Sequence, residues 1–327
     1  MVTTANNHCL DRGKDGLFRT LEELDKRQIE HTGVFRDAQQ ENKFMIKEFN
    51  GKRIAFISYT YGTNFAENKI ELSAEDVGHI NLLKPQTTGK MLVENKKPAH
   101  PIKKGIVKIL QTLISSDARM KLKKVLGMPL NVPITDMIAD GDLDKTYLAA
   151  LTTQLKRAKN MSDFVFLCVH TGGQFNDKPG EYTEYIMNFA VEHGVDAIIG
   201  THPHVVQKLD MIMGKPVFYS LGNFSFSPGS IYVLHELLPE YSIVPHFYFD
   251  TTTNPVQLKK ITCSILKTVE NREHLVSVHN VKDLLNRMQS TIEKELLIKD
   301  VNFIFRRILN KDTAINNFEE EFELVRI

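Results

Sequence analysis

At 327 residues, with 42% hydrophobic and 25% charged residues, the chain has a globular composition and the length for one large domain or two ordinary ones around a real core. Lys plus Arg (41) and Asp plus Glu (40) nearly cancel, which removes any whole-chain electrostatic reason for a nucleic acid or an anionic membrane as principal partner and leaves small or neutral-to-acidic ligands open. Cys9, Cys168 and Cys263 are odd in number, far apart and unpatterned, so they argue against a disulfide framework or a cysteine zinc finger and read as small buried hydrophobes.

The N-terminal MVTTANNHCLDRG has neither a basic n-region nor an apolar h-region, and no window approaches the roughly 18 apolar residues of a spanning helix. As written, the chain is expected to be cytoplasmic and to contain no membrane segment. Residues 2 to 5 end a short strand, and Leu17, Thr20, Leu21 and Leu24 fall at helical spacing within Gly13 to Gln28. Phe44 to Phe49 and Arg53 to Ser58 flank Asn50-Gly51, which predicts a hairpin. From Gly62 to Ile134 the signals are mixed, with charged, Pro-containing stretches such as ENKKPAHPIKK beside a short apolar pattern at Ile106 to Ile114.

Regular alternation then resumes: a helix over Lys145 to Ala158, a buried strand over Phe164 to Val169, a helix over Glu181 to His193 and a buried strand over Val195 to Ile199. That alternation predicts an α/β layer with parallel strands. Strands are expected at Val205 to Ile212 and Val217 to Ser220, joined through Gly214, and an antiparallel pair at Phe247 to Asp250 and Val256 to Leu266 across TTTNP. Helices are expected at Lys282 to Leu297 and around Phe303 to Leu309. No internal repeat occurs, so residues 1–270 are expected to form one α/β domain and 271–327 a helical C-terminal extension packed on it.

Of the twelve histidines, His8, His170, His202 and His204 each follow a predicted strand, in VTTANNH, FVFLCVH and VDAIIGTHPH. Loops at the carboxyl ends of parallel strands share one rim, where ligands of open α/β sheets bind. Residues two apart in an extended segment face one side, so His202 and His204 can both point there, stiffened by Pro203. Neutral imidazoles suit zinc, manganese or iron, and the carbonyl oxygen of Asn7 beside His8 complements them for a harder ion. The remaining histidines lack such a context; His193-Gly194 reads as a helix C-terminus. Gly172-Gly173 reads as a turn or as backbone N–H groups open to an anionic ligand. Asn223 reads as a turn residue or as an amide presented to the site, and Asp11 either orients His8 or caps the following helix.

Together the stretches ANNHCLDRGKDGLFRTLEEL, GKRIAFISYTYGTN and VHTGGQFNDKPGEYTEYIMNFAVEHGVDAIIGTHPHVVQKLDMIMGKPVFYSLGNFSF resemble the bacterial capsule-synthesis CapA/PgsA family, over roughly residues 1–230. The resemblance implies a calcineurin-like metallophosphoesterase fold, an α/β/β/α sandwich. It implies metal ligation by Asn7, His170, His202 and His204 and catalysis by His8; the residues themselves add Asp11 as a catalytic partner of His8 and Gly172, Gly173 and Asn223 as candidate substrate-binding groups. The implied cofactors are divalent metal ions, Mn, Zn, Fe or Mg. The implied partners are an anionic polymer or phosphoester substrate and other capsule-synthesis proteins, with no nucleic acid.

Two departures qualify what the resemblance implies. The family pattern starts with a strand ending in Gly-Asp and a further strand ending in an acidic residue, whereas ANNH here lies four residues from Met1; the expectation is an N-terminally truncated sandwich without those acidic ligands, and a membrane-associated or extracellular location if an anchor preceded them. Many relatives have His-Trp-Gly and then Glu where this chain has His170-Thr171-Gly172-Gly173-Gln174, and a neutral Gln neither acts as a base nor balances a cation. Three readings therefore stand: a dinuclear-metal-dependent hydrolase of capsular or poly-γ-glutamate synthesis, a non-catalytic accessory subunit of a synthesis and export complex, and an inactive truncated product.

Overall fold

The computed structural model describes residues 1–87, 136–229, 237–315 and 317–327. The apolar pattern at Ile106 to Ile114 lies outside them, as do His100 and His235. The chain begins with β1 (Val2–Thr3), which pairs in parallel with β2 (His31–Thr32) across α1 (Gly13–Lys26). Leu17 and Leu21, one helical turn apart, are the buried face of α1 and pack with Leu10, Val34, Ile80 and Leu82.

The hairpin across Asn50-Gly51 forms as expected: β3 (Met45–Phe49) and β4 (Lys52–Thr60) are antiparallel, and Asn50 and Gly51 have φ of 50° and 71°. Both values are left-handed, as a two-residue turn matching the twist of its strands requires. After the short helix α2 (Phe65–Asn68), α3 (Lys145–Met161) leads into β5 (Phe164–His170), and α4 (Glu181–Glu192) into β6 (Ala197–Thr201). Asp144 caps α3 by accepting from the Thr146 N–H. With β7 (Leu209–Ile212) and β8 (Lys215–Phe218), the six-stranded sheet runs β3-β4-β5-β6-β8-β7. β4, β5, β6 and β8 are parallel, and the antiparallel strands β3 and β7 are the two edges.

β5 is buried along most of its length, and its near-continuous apolar run reflects cover on both faces. One face packs on α3 and α4 through Val165, Leu167, Leu151, Leu155 and Ile186. On the other, Phe164 and Phe166 meet Phe247 and Phe249 at ring separations of 4.9 Å. Those rings belong to β9 (Tyr241–Asp250), which with β10 (Gln257–Glu270), β11 (Val276–Asn280) and β12 (Phe322–Arg326) makes a second, antiparallel sheet. Helices α5 (Val281–Arg287) and α6 (Thr291–Leu309) share its core. The chain is thus a mixed α/β protein in which two sheets pack face to face with helices beside each.

Three expectations need correction. Of the strand expected over Val205 to Ile212, only Leu209–Ile212 joins the sheet, because the left-handed φ of 60° at His204 turns the chain out of the extended path and Val206 makes a single bridge to Leu221. The region beyond residue 270 is not helical throughout: β11 and β12 flank its helices and pair with β10. Its helices also divide elsewhere than expected, since Ser290 accepts from the Glu293 N–H as a cap and one helix then runs unbroken to Leu309.

Candidate functional site

The parallel register aligns Thr60 with His170 and His170 with Thr201, so three strands end level at one rim. The loop after β1 brings Asn7 and His8 there, the loop after β6 brings His202 and His204, and the turn after β8 brings Asn223. Gly172, in the loop after β5, fits that loop to its neighbour: its φ is +118°, and a Cβ there would lie 2.9 Å from Pro203 Cγ.

The side chains of Asn7 and His202 both approach His170 Nε2. His170 Nε2 lies 2.8 Å from Asn7 Oδ1 and 3.2 Å from His202 Nδ1. Asn7 Nδ2 is committed as a donor to Asn64 Oδ1 at 2.8 Å, so its oxygen necessarily faces the imidazoles. One proton on His170 Nε2 is all that serves both other acceptors. His202 is 7% exposed, and its Nε2 is buried with no hydrogen-bond partner. His202 also holds a φ of 102°, outside the region an ordinary side chain adopts. Strain of this kind persists where the surroundings over-determine it.

Electrostatics keep these rings neutral. Burial, with the nearby charges of His204 and His8 behind it, lowers His170 to about 3. Burial lowers His202 well below its ordinary value, with His170, His204 and His8 adding to the effect. Neutral imidazole is the form that binds metals. His204 points Nδ1 at Asn223 Oδ1, 2.7 Å away, and Asn223 donates in return to the carbonyls of His204 (2.9 Å) and Pro239 (3.1 Å). An amide oxygen only accepts, so Nδ1 carries the proton and the lone pair of His204 is at Nε2.

Beside this cluster lies a second pair. His8 Nδ1 is 2.7 Å from Asp11 Oδ2, on an exposed imidazole and a half-exposed carboxylate. Asp11 therefore orients His8; the cap position of α1 is Arg12, which makes no side-chain cap bond. Asn64 Nδ2 lies 3.1 Å from His8 Nδ1 and 3.4 Å from Asp11 Oδ1.

The structure thus joins Asn7, His170 and His202 directly, places His204 6.0 Å from His202 by ring centroids, and sets His8 and Asp11 alongside through Asn64. Asn223 serves as an orienting amide, with its side chain fully engaged by the protein. Among the described residues no three His, Cys, Asp or Glu side chains gather closely enough to hold an ion. The donor set that does gather is two imidazoles and an amide, with His170 Nε2 2.8 Å from Asn7 Oδ1 and 3.2 Å from His202 Nδ1. Imidazole nitrogen and amide oxygen are donor types that suit a divalent cation, and these three side chains carry no negative charge.

Asn64 and Thr201 were not among the expected residues. Thr201 Oγ1 lies 3.0 Å from His170 Nδ1 and steadies the ring from behind. Both follow or end parallel strands, so the strand-end rule that singled out the histidines marks them once it is applied to every polar residue.

A mixed α/β fold with an amide and imidazole cluster at the strand-end rim is of the metallophosphoesterase-like type. The profile of the family described as "Bacterial capsule synthesis protein PGA_cap" matches residues 1–228, and the chain belongs to that family. A protein of Sinorhizobium fredii named "Uncharacterized protein y4sH" is 24% identical over 241 residues, 68% of this chain and 48% of that protein. The "PGA biosynthesis protein CapA" of Bacillus subtilis is 23% identical over 309 residues, 94% of this chain and 59% of its own length. The "Capsule biosynthesis protein CapA" of Bacillus anthracis is 34% identical over 97 residues, 28% of this chain and 24% of its own. The chain spans about half the length of the curated relatives it matches. Among solved structures, a hypothetical protein from Thermus thermophilus aligns over 72% of this chain and 60% of its own at 13% identity, with a TM-score of 0.23. No helix among the described residues is long and apolar enough to cross a membrane.

Proposed function

We propose that this protein is a divalent-metal-dependent hydrolase or transferase acting on a phosphoester or acyl bond of an anionic capsular polymer, poly-γ-glutamate or its precursor. The observation that carries the reading is the convergence of Asn7 Oδ1, His170 Nε2 and His202 Nδ1 beside the His8–Asp11 pair. Asn7, His170 and His202 would hold a metal ion, with His204 Nε2 available to a second. Such an ion supplies Lewis acidity and lowers the pKa of a water it holds.

The remaining work falls to the chain itself. Asn223 keeps the lone pair of His204 on Nε2, and Thr201 steadies His170. Asp11 accepts from His8 Nδ1–H and leaves Nε2 to pass a proton to the departing oxygen. Gly172, lacking a side chain, lets the loop after β5 lie against Pro203 in the loop that carries His202 and His204.

The accessory-subunit reading is favoured by one feature, the lack of a carboxylate among the converging donors. One experiment separates the two. The purified chain is titrated with Mn²⁺ by calorimetry and assayed on a generic phosphodiester, as wild type and as His8→Ala. Binding together with manganese-dependent turnover that His8→Ala removes supports the hydrolase. Binding without turnover supports the accessory role, and neither binding nor turnover overturns the metal-centre reading.

A further inference from the structure

We infer that Asn64 is a positioning residue that holds the metal-facing amide of Asn7 and the His8–Asp11 pair in one frame, an inference that rests on the roles proposed above for those residues. Asn64 follows β4 in the run Tyr61-Gly62-Thr63-Asn64 and stands at φ 54°, a left-handed value that Asn tolerates better than most residues. It occupies the cap position of α2, yet its side chain makes no cap hydrogen bond there. The amide is spent instead on residues more than fifty positions earlier in the chain.

Each end of that amide has one task. Its Oδ1 accepts from Asn7 Nδ2 at 2.8 Å, which fixes the direction of the Asn7 amide and so presents Asn7 Oδ1 to His170. With Asn7 turned over, an N–H would face the imidazoles and the oxygen would be withdrawn. The Nδ2 of Asn64 lies near His8 Nδ1 and Asp11 Oδ1. Since His8 Nδ1–H already donates to Asp11 Oδ2, the carboxylate is the acceptor for Asn64 as well, and it is braced from two sides. The base of Asn64 is itself held: buried Thr63 accepts from Gln86 Nε2 at 2.6 Å through Oγ1 and from Asn68 Nδ2 at 2.7 Å through its carbonyl. A frame fixed this way can act on both neighbours.

Two substitutions separate the tasks from a general loss of structure. Asn64→Ala removes both. Asn64→Asp keeps an acceptor for Asn7 and sets a second carboxylate against Asp11. Mn²⁺ affinity is measured by calorimetry, turnover on a generic phosphodiester, and thermal midpoint without metal. Asn64→Ala should weaken Mn²⁺ binding by about 10- to 100-fold, in the range seen when groups supporting metal ligands are lost. Asn64→Asp should retain Mn²⁺ affinity and lose turnover by roughly tenfold or more. Wild-type affinity in Asn64→Ala, or identical behaviour of the two variants in both readouts, would overturn the inference.

If the wild-type chain binds no Mn²⁺, the functional reading fails, and the side-chain amide of Asn7 then tests Asn64 by NMR. The Asn7 Nδ2 protons, identified by their loss in Asn7→Ala, should be protected from exchange in the wild type and released in Asn64→Ala. Unchanged protection in Asn64→Ala would likewise overturn the role assigned here.

Discussion

His170 and His202 are imidazoles that the fold keeps from charging. The unfolded chain binds their protons near pH 6.5, whereas folded His170 is lowered to about 3 and His202 is lowered in the same sense. Their unfolded forms therefore hold more protons than their folded forms in acid. For His170 the contribution to stability is full above pH 6.5 and is lost as pH falls from there towards 3, and His202 adds to the loss in the same sense. Metal-free protein should unfold at lower urea near pH 5 than near pH 7.5, and His202→Gln should flatten that dependence; equal midpoints for the wild type would refute it. Asn223 allows a second check. Asn223→Ala leaves His204 Nδ1 without its acceptor and should cost about 10- to 100-fold in Mn²⁺ affinity by calorimetry. His170, His202 and His204 were legible in the sequence because each follows an apolar run that reads as a strand. Asn64 was not, and Asn223 stayed between a turn and a site amide, because Asn is also a common turn residue and only the fold shows which partner it has.

At the scale of elements, the sheet was legible wherever apolar runs and turn residues agree, as in the Asn50-Gly51 hairpin and the strands on either side of α4. It was not legible where tertiary contact overrides local pattern. The apolar residues Val205 and Val206 look like strand and are fully buried, yet they lie in a connection whose path is set by two left-handed histidines. Gly172 shows the complementary case, a glycine whose absent side chain lets one site loop lie against Pro203 of the next. Gly172→Ala forces both a strained φ and a clash, and should destabilise the protein by roughly 1–3 kcal/mol in urea unfolding. The cap of α6 is a milder instance: Ser290→Ala removes the acceptor of the Glu293 N–H and should cost about 1 kcal/mol by the same measurement.

At the scale of the molecule, the second sheet and α6 bear directly on the first. Val206, Leu209 and Phe218 share a core with Val301, Ile304 and Ile308, and Arg307 donates from Nη1 to the carbonyls of Val206 (3.2 Å) and Leu237 (2.9 Å). Arg307 is half-buried and sits over the Phe303 ring, and its Nη2 is buried without a hydrogen-bond partner. Arg307→Gln should lower the thermal midpoint and, by loosening Val206 two residues from His204, weaken Mn²⁺ binding; unchanged affinity would show that the C-terminal helix does not support the site. The contact between Asn7 and His170 joins positions 163 residues apart in sequence. Closing so long a loop carries a large entropic cost that only a nearly complete fold can offset. The cluster therefore has little existence in partly folded chains, and an ion that binds it acts as a selector for the finished protein, drawing the population towards the folded state as its concentration rises.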